Sequence, residues 1–346
     1  MLRRQDVGHR IVVRRIVGIR DGRGLFSDAL GELVELTETH LTLATAKGPL
    51  RVPLTEVHRA KRVPPARRPT AAAVTALELA ANESWPAPIQ ERMGDWLLRS
   101  AGGWTGRANS ALPVGDPDRP LPAAIDEVVR WYADRGQPAI INVPLPLAAP
   151  VGVALDERGW GARPLTLVQT APLAAIRTGL PDGDPAHHGD PAHHGDESGR
   201  PPLTVELRLA PSEQWLVLAG ARKDSRDPML PQAARHILTA VSKVRFAHLY
   251  AQSHGNAENR ELVAMARGTV TGAGRWLGIS LLEVAPAVRR RGLARQVVGA
   301  LVGWAAGLGA THAFLQVEER NTAAVALYRR LGFSTHHTYL SRVAPT

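Results

Sequence analysis

The residues best suited to chemistry are Arg289, Gly292 and Ala294, which stand as Arg-x-x-Gly-x-Ala inside VRRRGLARQVV, Val288 to Val298. An anion that must approach the backbone needs small residues there, and Gly292 and Ala294 carry nothing that would hold it off. Arg290 and Arg291 add charge to the same turn, so the pattern fits a pyrophosphate. Taken alone it reads equally well as an exposed basic helix cap. A second pattern downstream tips the balance. FLQVEERNTAAVALYRRLGF, Phe314 to Phe333, carries Asn-x-x-Ala-x-x-Leu-Tyr-x-x-x-Gly-Phe with Asn321, Ala324, Leu327, Tyr328, Gly332 and Phe333 in place.

The elements around the arginines set what they can do. ISLLEV is apolar and β-inclined, and Pro286 stops it. From Gly292 onward Leu293, Val297, Val298, Leu301 and Trp304 recur at helical spacing. Arg289 to Ala294 is therefore predicted at a helix N-terminus. The first N–H groups there lack intrahelical partners and the helix dipole is positive, so an anion is favoured.

Together the two motifs resemble the GNAT superfamily of acyl-CoA-dependent N-acyltransferases, over about Thr204 to Val343. The resemblance implies that Leu282 to Val284 line the pantetheine arm of acetyl-CoA. It implies that Arg289, Arg290, Arg291, Gly292, Leu293 and Ala294 bind the pyrophosphate, and that Asn321 contacts the cofactor. Tyr328 would stand near the thioester sulfur and protonate the leaving thiolate, a general-acid role open to a phenol. Backbone N–H groups near Val284 would stabilise the oxyanion formed when a neutral amine attacks. One position departs from the pattern: family members that acetylate protein N-termini carry a glutamate where Gln316 stands. An amide cannot take a proton from the attacking ammonium. Glu283 is the candidate base, with Glu318 or a water chain as alternatives.

An internal repeat frames this half. Trp131 and Trp304, Gly136 and Gly309, Gly159 and Gly332, and Pro113 and Pro286 are each 173 residues apart. In the first copy Arg119, Pro120 and Leu121 stand where the second has Gly292, Leu293 and Ala294; Ala148 replaces Asn321 and Leu155 replaces Tyr328. Pro120 removes an N–H donor and Leu121 adds bulk, so the first copy is expected to keep the fold without the cofactor site. PDGDPAHHGDPAHHGDESGRPP, Pro181 to Pro202, holds a hexapeptide twice and reads as a flexible linker. Short alternating runs before RVPPARRPT, Arg62 to Thr70, predict a small all-β unit.

The expected fold is thus α/β (α+β), with two GNAT-like mixed-sheet domains preceded by a small SH3-like β-barrel. The parts are a basic all-β domain over 1–65, a degenerate GNAT-like domain over 70–180, the linker 181–202 and a catalytic GNAT domain over 203–346. This plan resembles tandem GNAT proteins with one active half, including mycothiol-pathway acyltransferases, and actinobacterial GNAT proteins with an SH3-like N-terminal domain.

Bulk composition bounds the rest. The 346 residues carry a formal charge of +10, of which 14 − 7 = +7 lies in residues 1–68. That segment lacks the exposed aromatics of a single-strand binder, so nucleic acid is not the expected partner. With no cysteine there is no disulfide, thiolate metal site or Cys nucleophile, and no metal is expected. No apolar run suits a signal peptide or a membrane span, and a cytoplasmic protein is expected. WLLRSAGGWTGRANS, Trp96 to Ser110, reads either as a face toward the acceptor or as a buried hairpin with Trp96 and Trp104 in the core. The function expected is acetyl transfer from acetyl-CoA to a primary amine of a small molecule, protein or peptide by direct attack. The alternative is an acetyl-CoA-binding regulatory module that docks nucleic acid or a protein through its basic N-terminal domain.

Overall fold

In the computed structural model the alternating runs of the N-terminal segment form β1 (Arg10–Arg20), β2 (Arg23–Leu36), β3 (His40–Thr45), β4 (Gly48–Pro53) and β5 (Val57–Arg62). The structure describes residues 2–3, 6–20, 23–45, 48–63, 69–178, 204–221, 232–251 and 260–345. The duplicated hexapeptide and its linker, and residues 64–68 of the first joint, lie outside the described residues. Contacts divide the chain into Met1–Arg68 and Pro69–Thr346.

In the first unit the strands pair antiparallel in the order β4-β3-β2-β1-β5. Alternate side chains Ile11, Val13, Leu33, Leu41, Leu43 and Val52 point to one face and are fully buried there, as period-two patterning requires. Among the described residues no pairing joins β4 to β5, so the sheet is open where a closed barrel was expected.

The second unit begins with α1 (Ala71–Ser84), the hairpin β6 (Ile89–Met93) and β7 (Trp96–Ser100), α2 (Leu121–Ala133), β8 (Ile140–Leu145), α3 (Ala149–Glu157), β9 (Gly161–Ala162), β10 (Thr166–Pro172) and α4 (Leu173–Thr178). It continues with β11 (Val205–Arg208), α5 (Glu213–Ala221), α6 (Gln232–Thr239), β12 (Val244–Tyr250), β13 (Leu262–Thr271) and β14 (Trp276–Val284). The last elements are α7 (Leu293–Gly307), β15 (His312–Glu318), α8 (Thr322–Arg330) and β16 (Ser334–Val343). Adding 173 to the bounds of α2, β8 and α3 gives 294–306, 313–318 and 322–330, within a residue of α7, β15 and α8.

The strands of both segments nevertheless share one mixed sheet, ordered β11-β12-β13-β14-β15-β10-β16-β8, with β9 on β16. β10 lies antiparallel between β15 and β16, and β16 pairs with β8. The closing strand of each segment therefore sits beside the other segment's strands. All ten residues of β13 are buried, because helices cover both faces of the sheet. On one face Val297, Val298, Leu301 and Val302 of α7 pack with Leu277 and Leu315. On the other, Leu77 and Ala81 of α1 pack with Val168, Phe314 and Tyr339.

α1 starts because Thr70 Oγ1 accepts from the Ala73 N–H at 3.2 Å. Its far end is tied down on the sheet. Thr271 Oγ1 donates to the Ala80 carbonyl at 2.9 Å, and the Ser84 and Thr269 hydroxyls share a hydrogen bond of 2.7 Å. A Cβ on Gly278 would come within 2.6 Å of Ser84 Oγ, so glycine permits this approach. Trp96 is buried in the β6–β7 hairpin and Trp104 stacks on Trp85 at 5.4 Å. Among the described residues no helix is long and apolar enough to cross a membrane.

Candidate active site

β14 and β15 are parallel neighbours, but only Trp276, Leu277 and Gly278 pair, with His312, Ala313 and Phe314. Beyond Gly278 no pairing joins the two strands. A bulge contributes. β13 and β14 pair Met265 with Glu283 and Arg267 with Ser280, so β14 carries one extra residue, and Leu281 adopts φ of 54°. Such a bulge bends its strand and re-aims the side chains that follow. The result is a cleft of about 890 Å³ between the strands and the starts of α7 and α8.

Leu282, Glu283, Val284, Arg289, Arg290, Gly292, Leu293, Ala294, Asn321 and Tyr328 all line this cleft. Arg291 is not part of its wall. Gln316 and Glu318 line it from β15. The wall also includes Ser280, Arg295 and Arg330, which the sequence reading did not single out. Arg295 was within reach, since it lies on the first turn of the helix already drawn from Gly292. Ser280 could not be found without the bulge that follows it.

The turn before α7 has left-handed backbone at two residues. Arg290 and Gly292 have φ of 67° and 80°, and turns of this kind make successive N–H groups converge on an anion-binding concavity. No side chain caps α7, so its first N–H groups stay available to a ligand. A Cβ on Gly292 would meet no protein atom, which makes the left-handed backbone, rather than packing, the reason for glycine there. Arg289 does something other than reach outward: its Nε donates to the Val284 carbonyl at 3.1 Å, tying the turn to the end of β14.

α8 is set differently. Asn321 caps it, Oδ1 accepting from the Ala324 N–H at 3.2 Å, so its side chain serves the helix start while lining the cleft. Tyr328 is 9% exposed, edge-on to Phe333 at 5.8 Å, within the apolar cluster under α7. It also forms part of the cleft wall. In the first segment Leu155 is fully buried and Ala148 leaves α3 uncapped. α2 starts at Pro120 with no side-chain cap, and Leu121 packs against the core.

Two carboxylates and one amide also line the cleft. Glu318 is held by Arg320 at 2.6 Å in an exposed pair. Gln316 Oε1 accepts from Tyr339 Oη at 3.3 Å. Glu283 lies opposite Met265, which belongs to the cluster joining Trp85 and Trp104 to α5 and α6. Leu281 packs on that cluster and lines the cleft, so WLLRSAGGWTGRANS supplies buried core next to the cleft wall. Within the cluster Arg267 is fully buried and donates to the Ser84, Ile237 and Leu238 carbonyls at 2.8–3.1 Å. Burial pushes its guanidinium down to about 9, with repulsion from Arg107 adding to the shift.

A family model and one relative show the family of the chain. Residues 71–175 and 190–342 match the family described as "Probable histone acetyltransferase Rv0428c C-terminal". A protein of Mycobacterium tuberculosis named "Probable histone acetyltransferase Rv0428c" is 31% identical over 270 residues, 77% of this chain and 72% of that protein. The "Uncharacterized N-acetyltransferase YobR" of Bacillus subtilis is 28% identical over 77% of this chain and 98% of its own length. Among solved structures, a GCN5-related N-acetyltransferase from Kribbella flavida superposes with TM-score 0.54 at 17% identity, covering 81% of this chain and 97% of that one. A tandem GNAT protein from the clavulanic acid biosynthesis pathway gives 0.50 at 15% identity, covering 81% and 91%. These two likenesses establish a shared fold.

Proposed function

Since the chain belongs to the Rv0428c C-terminal family of acetyltransferases, we propose that it moves an acetyl group from acetyl-CoA to a primary amine of a small molecule, protein or peptide. The observation that carries the reading is the uncapped start of α7, with its left-handed Arg290 and Gly292, opening on the same cleft as Tyr328. Those N–H groups, with Arg290 and Arg295 beside them, suit a diphosphate, and Leu282 and Val284 offer an apolar wall for a pantetheine arm. Bound acetyl-CoA would supply an acetyl group activated as a thioester.

The chain's own residues do the rest. N–H groups near Val284 offset negative charge that builds on the carbonyl oxygen, a role that gains strength in a cleft shielded from water. Tyr328 donates its proton to the leaving sulfur. Glu283 takes the proton that the acceptor ammonium must lose before its nitrogen can attack, in place of the carboxylate that Gln316 does not provide. The first segment acts as a GNAT-like repeat without a cofactor site, and the open sheet of the first unit is an SH3-like module. The strand order β4-β3-β2-β1-β5 and the 3-10 turn at Leu54–Glu56 before β5 support that last assignment.

The test is thiol release on mixing acetyl-CoA with a panel of amines and peptides. Tyr328→Phe is expected to lower kcat by about 100-fold, the ordinary worth of a general acid, while leaving acetyl-CoA affinity within twofold. Tight acetyl-CoA binding with no thiol release for any amine would refute the reading.

A further inference from the structure

Gly278 and Phe314 are the last paired residues of β14 and β15, and Ser280 and Gln316 stand two residues further along each strand. Alternation puts both on the face that Gly278 and Phe314 use, so they flank the mouth of the opening from opposite sides. Both line the cleft. Ser280 has a second feature. It is half-buried, yet its Oγ is shielded from solvent and has no hydrogen-bond partner. A hydroxyl in that state gains a bond whenever rotation about χ1 brings it to a donor in the cleft. Gln316 Oε1 already accepts from Tyr339 Oη at 3.3 Å, which fixes the amide and leaves a second lone pair on the same oxygen.

We propose that Ser280 and Gln316 form the seat of the reacting nitrogen and select a neutral primary amine, each accepting one of its two N–H bonds. A primary amine satisfies both acceptors with its lone pair left over for attack. A secondary amine has one N–H and leaves one of the two unmet, and the unmet group weighs against it. Tyr339, from β16, is the positioning residue that holds Gln316. This assignment rests on the acetyltransferase reading above.

The experiment uses the full chain at saturating acetyl-CoA. The probe is whichever amine the thiol-release panel turns over fastest, together with its N-methyl derivative. Ser280→Ala deletes a hydroxyl that has no partner, so the fold is not at risk. The variant is expected to lower kcat/KM for the primary amine about tenfold through acceptor KM, and to change the N-methyl value far less. The preference for the primary amine therefore collapses, while acetyl-CoA affinity by calorimetry stays put. Ser280→Thr keeps an acceptor oxygen and is expected to restore the preference. An alanine variant with unaltered kinetics, or one that loses both amines equally, overturns the assignment and leaves the transferase reading standing. If the unsubstituted chain binds acetyl-CoA but releases thiol with no amine, the transferase reading itself falls and takes the seat with it.

Discussion

At the scale of single residues, the cleft separates two kinds of polar group. Tyr328 is a phenol lodged in apolar packing beside Phe333 on α8, and Glu283 is a carboxylate near the end of β14. A base that works by taking the amine proton leaves a signature in the pH profile. Glu283→Gln is expected to flatten the alkaline rise of kcat/KM at fixed acetyl-CoA, and an unchanged profile across the same range excludes it as the base. Most of these residues were legible from the chain. Arg289 to Ala294, Asn321 and Tyr328 fall within short local motifs, and a motif's spacing along a helix start is read directly from the sequence. Their particular tasks were less so. Arg289 bonds the Val284 carbonyl and Asn321 caps its own helix, because each side chain meets a backbone group nearer than any ligand. Ser280 was invisible, as a lone serine in an apolar strand carries no pattern.

At the scale of elements, the two helices that open on the cleft start in opposite ways. α8 is capped by Asn321 and α7 is not capped by any side chain. A capped start makes a rigid mount for Tyr328, while an uncapped one leaves donors for an anion. Asn321→Ala is expected to cost about 1 kcal/mol of stability and to lower kcat, since Tyr328 rides on the same helix. Thermal unfolding and single-turnover rates check this together: a fall in the midpoint with unaltered kcat would show that the cap serves stability alone. The helices, and the strands before them, follow from apolar spacing at 3.6 and 2 residues. The bulge at Leu281 does not. An extra residue changes neither composition nor alternation enough to be seen, and its existence depends on how β13 pairs with β14.

At the scale of the whole molecule, the repeat and the sheet tell different stories. α2, β8 and α3 recur as α7, β15 and α8 at a constant offset, yet β10 and β16 each close the sheet beside the other segment's strands. A chain of residues 204–346 would lack β10, exposing the edges of β15 and β16, and is expected to aggregate. A chain of residues 69–346 keeps every strand of that sheet and is expected to bind acetyl-CoA as the full chain does. Size-exclusion chromatography and calorimetry on the two pieces check both outcomes. The sequence by itself determined the Gly292 turn before α7, the helix that carries Tyr328, the different residues at Arg119 to Leu121, and the repeat, because each is a relation between residues close in the chain or at one fixed offset. Only the tertiary structure decided the strand order, the open sheet of Met1–Arg68, the splay after Gly278 and the placing of Ser280 and Gln316 on one cleft. Those rest on which strands find each other across long separations, and the hydrogen bonds and buried area that choose among pairings exist only once the chain has folded.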